Sequence, residues 1–270
     1  MLFLLSPAKS LDYERALPAD VAHTLPTFLA QAGVLIAQLR ALSAQELGAL
    51  MDISPALAAL NAQRFADWQP DFSAANARQA LFAFNGDVYE GLDAYTLGAP
   101  DIAWAQEHVV ILSGLYGALR PLDWMRPYRL EMGTKLAWAH AGSQGQNLYS
   151  FWGSRIAQYL NERLSTQGDA TSQVVVHLAS QEYFKSVDRK TLRAPVVECV
   201  FEDFKGGKYK IISFYAKRAR GLMARWAIEQ RLTRPEQLQG FDVQGYAYAP
   251  EASSAQRLVF RRALAPSALN

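Results

Sequence analysis

The sequence predicts an α/β protein of the mixed α+β kind, with a central mixed β-sheet wrapped by helices. Three observations predict this class. The chain opens with an apolar run, LFLLS; helical spacing of apolar residues follows as far as residue 84; and from residue 108 onward short β-branched runs alternate with helical segments. No repeat or low-complexity linker interrupts the pattern. We therefore expect one domain over residues 1–270, with an N-terminal helical portion that contains a candidate helix-hairpin-helix element.

The helical portion is predicted from periodicity and from capping residues. TLPTFLAQAGVLIAQLRALS (24–43) and SAANARQALFAF (73–84) are predicted as helices. Between them, Ser43 with Glu46 fits a capping box, and Ser54 followed by Pro55 fits a helix start. The two helices that they open form a short pair over residues 43–67, which is the better topological candidate for the helix-hairpin-helix element although its turn lacks glycine. The glycine-bearing segment LSGLYGALR (112–120) is the alternative, although its glycine spacing departs from the usual Gly-hydrophobic-Gly.

The sheet is predicted from apolar runs bounded by turn residues. LFLLS is apolar on both faces, which predicts a position in the middle of the sheet. Two later runs are joined by KGGK, a hairpin signal. The segments LYSFWGSRIAQYLNERLS and AKRARGLMARWAIEQRL are predicted as helices among the strands. The later strands are predicted at HVVILSG (108–114), QVVVHLAS (173–180), APVVECVFEDF (194–204), KYKIISFYA (208–216) and RLVFRRA (257–263).

Composition and motif content exclude several function classes. No apolar segment approaches the roughly 18 residues needed to cross a bilayer, so we expect a cytosolic protein without membrane contact. A single cysteine, Cys199, excludes an internal disulfide, and the four histidines lack ligand spacing, so no metal and no cofactor are expected. The fingerprints of P-loop ATPases, dinucleotide-binding dehydrogenases, zinc proteases and serine esterases do not occur.

The net charge of +2 conceals an uneven distribution. Residues 1–110 carry five Lys/Arg and twelve Asp/Glu, whereas residues 111–270 carry twenty-two and thirteen. Such asymmetry favours a partner that is recognised electrostatically by one face of the molecule. The alternative to such a partner is that the charges are solvated and distributed by chance.

Four predicted strands end in a small polar cluster that includes a cation. Ligands of open α/β sheets collect beyond the carboxyl ends of parallel strands, so these cations are expected to converge on one cleft that favours phosphate. The alternative is that each cation merely ends a strand at the solvent boundary. The cations that follow the strands are Lys9, Arg120, Lys185 and the group Lys217, Arg218 and Arg220.

Residues 113–135 form the densest candidate segment. Gly114 and Gly117 allow close approach of the backbone to a ligand, and Arg126 and Arg129 alternate with tyrosine and tryptophan. Prolines predict an ordered loop here rather than a helix. The alternative is an aromatic-packed loop over the sheet, with arginines bonded to backbone carbonyls.

The run KIISFYAKRARGLMARW (210–226) predicts a strand followed by an amphipathic helix. On a helical wheel its apolar residues cluster on one side and its cations on the other, so the apolar face is expected on the sheet and the cationic face in solvent. The helix holds a single acid, Glu229, although solvated faces usually alternate in sign.

Long stretches of the chain resemble the YaaA family of bacterial peroxide-stress proteins. They are SPAKSLDY, FNGDVYEGL, ILSGLYGALRPLDWMRPYRLEMGTKL, LYSFWG, HLASQEYFKSV and KIISFYAKRARGLMARW. The resemblance implies a cytosolic protein that limits iron-dependent oxidative DNA damage. It also implies a positively charged cleft and DNA binding associated with a helix-hairpin-helix element. By matched position it places these residues in the cleft: Lys9, Arg120, Arg126, Arg129, Lys185, Lys217, Arg218 and Arg220.

Two hypotheses follow for the cleft. The first is structure-selective DNA binding without turnover and without base-specific contacts, by a protein that we expect to be monomeric. The second is an enzyme that acts on a phosphorylated or carboxylated small molecule, with Lys9, Asp87, Glu131 and Lys185 as acid/base candidates. The second requires these groups to meet around one pocket. Asp87 alone is equally explained as a turn cap.

Overall fold

A central mixed sheet is flanked by helices, as the sequence predicts. The computed structural model describes residues 1–168 and 173–263. In chain order its strands are β1 Leu2–Leu5, β2 Ser10–Leu11, β3 Arg78–Gln79, β4 Phe84–Asn85, β5 Val109–Ser113, β6 Gly117–Leu119, β7 Trp124–Met125, β8 Trp138–His140, β9 Ser143–Gly145, β10 Val175–His177, β11 Val196–Lys205, β12 Lys208–Lys210, β13 Ala247–Tyr248 and β14 Arg257–Arg262.

The main sheet has the order β13-β14-β11-β10-β1-β5-β6, and β12 pairs with the outer part of β11. Strands β14, β11, β10, β1 and β5 are mutually parallel, whereas β6, β12 and β13 pair antiparallel. All four residues of β1 are buried, and β1 lies between β10 and β5. The predicted central position of LFLLS is therefore confirmed. The carboxyl ends of these parallel strands share one edge of the sheet.

The helices are α1 Leu29–Arg40, α2 Ala44–Met51, α3 Pro55–Asp67, α4 Ala80–Ala83, α5 Asp87–Leu92, α6 Ala99–His108, α7 Leu148–Trp152, α8 Arg155–Ser165, α9 Gln181–Phe184 and α10 Ser213–Glu229. The predicted capping box is present, since Ser43 Oγ accepts from the backbone of Glu46 and the Glu46 carboxylate accepts from Ser43 N at 2.8 Å. Ser54 caps α3 with Pro55 in its first turn. None of the described helices is long and apolar enough to span a membrane.

Helices α5 and α10 cross at a very short distance because each contributes a glycine. A Cβ on Gly221 would lie 1.8 Å from the carbonyl oxygen of Val88, and one on Gly91 would lie 2.2 Å from that of Arg218. Such backbone contact is open to glycine alone. The crossing fixes the position of α10 against α5, and both helices contribute residues to the cleft described below.

Two predicted elements are wrong, both for tertiary reasons. Residues 73–84 were expected as one helix, but Arg78 and Gln79 pair with β7, so only the single turn α4 remains. Residues 208–216 were expected as one strand, but β12 ends at Lys210 and α10 starts at Ser213. The apolar run therefore extends from β12 into the first turn of α10. There Ala216 packs inward, whereas Phe214 is exposed.

The interpretation of α10 as a two-faced surface helix also needs correction. Its buried residues include Ala216, Gly221, Ala224 and Ala227, which surround much of the helix axis. The helix is therefore enclosed by both β11 and α5. Its cations do not share one solvated face. Arg218 faces Glu90 of α5, and Arg225 contacts both Asp93 and Glu229 of α10 itself.

The segment 113–135 is an ordered connector, as expected. It forms the short strands β6 and β7 within otherwise irregular backbone, and most of its residues are buried. Gly117 has φ = 68° and packs against the Trp152 ring, while Gly114 faces the carbonyl of Leu130. These two glycines serve close packing within the protein.

Candidate functional site

The loops that follow the central strands β1 and β10 are tied together by two serines. Ser6 Oγ accepts a hydrogen bond from Ser180 N at 2.8 Å and lies 3.3 Å from Ser180 Oγ. The buried Tyr89 of α5 donates its hydroxyl to the carbonyl of Ser6 at 3.0 Å. Burial raises the pKa of Tyr89 well above its ordinary value, so it remains a neutral donor. These contacts fix the floor of a cleft at the edge of the sheet.

This strand-end cleft is a cavity of about 410 Å³. Its size lies within the range of small-ligand sites, and its position beyond the carboxyl ends of parallel strands is the usual one for α/β proteins. Four of the eight predicted cations line it, namely Lys9, Arg129, Lys217 and Arg220, together with the acids Asp87, Glu131 and Glu182.

Glu131 bridges two of the four cations. Its carboxylate lies 3.0 Å from Lys9 Nζ and 3.1 Å from Arg129 Nη2. The lysine side chain is largely exposed, whereas those of Glu131 and Arg129 are mostly covered. The carboxylate therefore occupies a position between two cations that an anionic group of a ligand would also favour.

Two arginines in the cleft retain unused hydrogen-bond donors. The Nε atoms of Arg129 and Arg220 are buried and have no partner in the described part of the chain. Burial lowers the pKa of Arg220 from its ordinary value, and Glu198 and Cys199 oppose that shift. A buried donor without an acceptor costs about 1–3 kcal/mol, so a ligand that accepts from these atoms gains affinity.

Helix α10 contributes Lys217 and Arg220 together. The two residues are three apart, so they occupy the same helix face. His177, at the end of β10, is buried against the ring of Phe184 and interacts electrostatically with Arg220. Burial, followed by the charges of Arg220 and Arg189, lowers the pKa of His177 to about 3, so this residue adds no competing charge at neutral pH.

The structure does not bring the other four predicted cations into the cleft. Arg120 holds the buried carboxylate of Asp123, with Nη2 at 3.1 Å. Arg126 donates to the carbonyls of Asp67 and Asp71 and to the Asp71 carboxylate at 2.8 Å. These are the contacts of the alternative interpretation, in which arginines of this loop bond to backbone carbonyls.

Arg218 and Lys185 also lie outside the strand-end cleft. Arg218 faces Glu90 of α5 at 3.8 Å, in a smaller neighbouring cavity. Lys185 Nζ lies 4.8 Å from the centroid of the Tyr149 ring. The acid/base set of the enzyme hypothesis is therefore partly assembled, since Lys9, Asp87 and Glu131 share the cleft and Lys185 does not.

A larger cavity of about 830 Å³ adjoins the cleft at Asn85. Its cations are Arg15, Arg64 and Arg126, and its acids are Asp12, Glu14 and Asp67. Because the cations are matched in number by acids, and because Arg126 is largely bound to the protein itself, this cavity shows no cation excess. The strand-end cleft, with four cations and three acids, is the better candidate.

Several lining residues were not predicted as part of the site. Asn85 and Gly86 immediately precede α5, and Gly86 has φ = 153° and lies against Ala8. An Asn-Gly step before a helix is a turn signal that identifies such positions. Ser6 and Ser180 were visible only as the polar ends of strands, because their mutual contact depends on the sheet order.

The cleft offers positive charge, hydrogen-bond donors and the carboxylates of Asp87, Glu131 and Glu182. The described residues contain no group of three or more His, Cys, Asp or Glu that could hold a metal ion. What this arrangement can do chemically is hold an anionic group between Lys9, Arg129 and Arg220, with Asp87 and Glu131 within the same space.

The fold and the cleft define an α/β protein with a cation-lined cavity at its parallel strand ends. Residues 1–252 match the family described as "Peroxide stress protein YaaA", and the chain belongs to that family. It is similar over 262 residues to UPF0246 proteins of Paracidovorax citrulli (66% identical), Delftia acidovorans (62%) and Bordetella pertussis (62%). These matches cover 97% of this chain and 98–99% of the relatives.

Proposed function

We propose that this member of the peroxide-stress family binds DNA, and that a phosphate group of the DNA enters the strand-end cleft. The observation that carries the proposal is the pair of buried, unpartnered Nε donors of Arg129 and Arg220, beside Lys9 and Lys217. Phosphate oxygens accept hydrogen bonds from guanidinium groups with favourable charge and geometry. The cleft is too small for a duplex, so the phosphate belongs to a strand end, a flap or a distorted site.

The proposed binding is selective for DNA structure rather than for sequence. The cations of the cleft recognise phosphate, and phosphate contacts position a nucleic acid without specifying its bases. In a cell under peroxide stress, occupation of exposed or distorted DNA by this protein would limit iron-dependent oxidative damage there. The family's description as a peroxide stress protein supports a role under these conditions, and the limitation of iron-dependent damage is part of the proposal.

The helix pair α2–α3 contributes little to the proposal. Its turn contains no glycine, and the Ile53 N–H is already bonded to the carbonyl of Gly48 at 3.1 Å. Residues 43–67 carry one arginine against three acids. The charge of this pair does not favour a phosphate, so we assign the DNA contact to the cleft.

Titration of duplex, single-stranded and bubble DNA tests the proposal. The double variant Arg129→Gln, Arg220→Gln is expected to lose roughly tenfold or more in affinity for bubble and single-stranded DNA, because each lost charged hydrogen bond costs about 1.5–3 kcal/mol. Lys185→Gln, Lys190→Gln removes the same charge outside the cleft and is the matched control. Equal losses in the two double variants would contradict the assignment to the cleft.

A second candidate is turnover of a small phosphorylated or carboxylated molecule in the same cleft. The 3.0 Å pair Lys9–Glu131, with Asp87 in the same cavity, favours it. Glu131→Gln separates the two functions. If Glu131 only competes with phosphate, its loss raises DNA affinity; if it is a catalytic acid or base, its loss abolishes the turnover of phosphate esters followed by ³¹P NMR.

A further inference from the structure

The hairpin of β11 and β12 is a second charged and aromatic feature. Its turn, Gly206–Gly207, has φ values of 65° and 81°. Two successive positive φ values are typical of the tight type I′ turn that joins twisted strands. The last residues of β11 and all of β12 thus form a two-stranded ribbon, residues 203–210, which we call the basic ribbon.

The basic ribbon projects from the edge of the sheet at which the cleft opens. Strand β10 ends at His177, which is in register with Glu198 of the parallel strand β11. Lys205 lies seven residues beyond Glu198, and at about 3.3 Å per residue β11 continues roughly 23 Å past the end of β10. Pairing with β14 stops at Asp203, and only β12 accompanies β11 beyond it.

One face of the ribbon is aromatic. Phe204 and Tyr209 are directly opposite each other across the two strands, with ring centroids 5.2 Å apart. Their exposed fractions are 49% and 37%. Large apolar side chains exposed side by side are unusual on a soluble surface and indicate a contact site.

The other face is cationic. Lys205 is directly opposite Lys208, and Lys210 follows on the same face. Like charges placed opposite each other across two strands are destabilising. Among the described residues these three lysines form no ion pair, whereas the acids of β11 are occupied, since Glu202 pairs with Arg261 and Asp203 with Arg262. Such an arrangement favours a polyanionic partner, which relieves the repulsion.

The chain connects the ribbon directly to the cleft. Ile211 and Phe214, exposed by 54% and 55%, follow β12 and lead into α10. Lys217, which lines the cleft, lies three residues after Phe214 on the same helix face. Apolar rings and cations therefore continue from the ribbon to the mouth of the cleft.

We propose that the basic ribbon binds an unpaired stretch of single-stranded nucleic acid that continues out of the strand-end cleft. A base stacks on the Phe204–Tyr209 face, while flanking phosphates contact the lysines of the opposite face. Stacking on aromatic rings beside cations is the common mode of sequence-tolerant single-strand binding. The proposal rests on the DNA-binding function, but it assigns that function a second site with a different chemistry.

The test compares two variants by titration with single-stranded oligonucleotides that contain 2-aminopurine. Phe204→Leu, Tyr209→Leu keeps apolar area but removes the rings, and we expect about a tenfold loss of affinity together with loss of 2-aminopurine quenching. Lys205→Gln, Lys208→Gln, Lys210→Gln is expected to lower the slope of log K against log salt by about 2 while quenching persists. Leu57→Ala, Leu60→Ala, at exposed apolar positions of α3, is the control that leaves affinity unchanged.

Other occupants give other results and overturn the proposal. A partner that needs only apolar area tolerates leucine, so unchanged affinity and quenching in the Phe204→Leu, Tyr209→Leu variant excludes base stacking. Binding of anionic phospholipid vesicles that matches or exceeds oligonucleotide binding assigns the ribbon to a membrane surface. A concentration-dependent dimer that Phe204→Leu, Tyr209→Leu disrupts assigns it to a second copy of the chain.

Failure of the ribbon and failure of the cleft are distinguishable. If Arg129→Gln, Arg220→Gln leaves affinity intact while the ribbon variants reduce it, the cleft proposal fails and the ribbon remains. If only the cleft variants reduce affinity, the ribbon proposal fails. We expect both sets to reduce single-strand affinity and the ribbon set to leave blunt duplex affinity nearly unchanged.

Discussion

The arginines of the strand-end cleft and those elsewhere in the fold differ in how many of their N–H groups donate hydrogen bonds to the protein itself. In the cleft, Arg129 and Arg220 each have a buried Nε without a partner. Outside it, Arg120 is bonded to the buried Asp123 carboxylate, and Arg225 of α10 donates to the carbonyls of Leu92 and Asp93 and to the hydroxyl of Thr96. Arg126 also has a buried Nε without a partner, but its Nη atoms donate to Asp67 and Asp71. Both groups occur in equally basic stretches of sequence.

We infer that an arginine is a candidate for ligand binding where an unused donor coincides with an excess of cations, as in the cleft and not around Arg126. The arginines outside the cleft stabilise the fold, since they satisfy carbonyls and carboxylates that would otherwise be buried unpaired. The unpaired Nε atoms of the cleft arginines are expected to cost stability in the free protein.

The largest effect is expected from Gly221→Ala. This substitution would displace α10, which contributes Lys217 and Arg220 to the cleft. A methyl group 1.8 Å from the Val88 carbonyl forces the α5–α10 crossing apart. We expect at least about 3 kcal/mol of destabilisation in urea unfolding. Gly33→Ala in α1, where nothing lies within 4 Å, is the control and is expected to stabilise by about 0.5–1 kcal/mol. Equal midpoints for both variants would refute the tight crossing.

Arg120→Ala is the next test, because it removes a cation that we place outside the site. Asp123 is fully buried, and breaking a buried pair costs about 3–5 kcal/mol; since Arg120 is partly exposed, we expect a value nearer 2–3 kcal/mol. Denaturant unfolding measures the loss. The DNA affinity of the folded variant should equal that of the unsubstituted protein. A loss of DNA affinity without a loss of stability would show that Arg120 belongs to the binding site.

Acid is expected to destabilise the protein through His177, the buried neighbour of Arg220. Its pKa is about 3 in the folded state against an ordinary value of 6.5, so the unfolded state binds more protons between these limits. Stability therefore falls as the pH decreases from 6.5, by at most about 1.4 kcal/mol per pH unit.

Urea unfolding from pH 7 to pH 4 measures this dependence. His177→Gln is expected to flatten it, and His140→Gln, at an exposed position, is the control. An unchanged slope in His177→Gln would show that the histidine is not held neutral by its surroundings.

Arg220→Met is expected to have a small effect on stability and a large one on binding. Because burial already lowers the pKa of this arginine and its Nε is unpaired, an apolar side chain of similar length should leave stability unchanged or raise it by up to about 1 kcal/mol. Thermal melting measures this. A loss of several kcal/mol would show that Arg220 is structural, like Arg120.

The smallest effect is expected from Lys185→Ala. Its contact with Tyr149 is exposed, and such cation–π pairs contribute about 0.5–1 kcal/mol. DNA affinity should remain within about twofold of the unsubstituted protein in the same titration. A marked loss of affinity would extend the site beyond the cleft.

Sequence patterns predicted the sheet well because apolar runs and the KGGK turn are local signals. Of the cations that were expected to converge beyond the strand ends, Lys9 and Lys217 share a cavity there, whereas Arg120 and Lys185 do not. They failed at residues 73–84, where pairing with β7 overrides helical spacing, and at Ser213, where an apolar run continues into α10. Which donors an arginine retains depends on acceptors distant in the chain, such as Asp67 and Asp71, which occupy the Nη atoms of Arg126 but not its Nε. No local pattern contains that information.

The salt dependence of DNA affinity tests the central claim most directly. Each phosphate contact that is lost lowers the magnitude of the slope of log K against log salt by about 0.7 for single strands. The account predicts that Arg129→Gln, Arg220→Gln lowers it by about 1.4 relative to the unsubstituted protein, and that Lys185→Gln, Lys190→Gln leaves it unchanged. The same slope in all three proteins would contradict phosphate binding in the strand-end cleft.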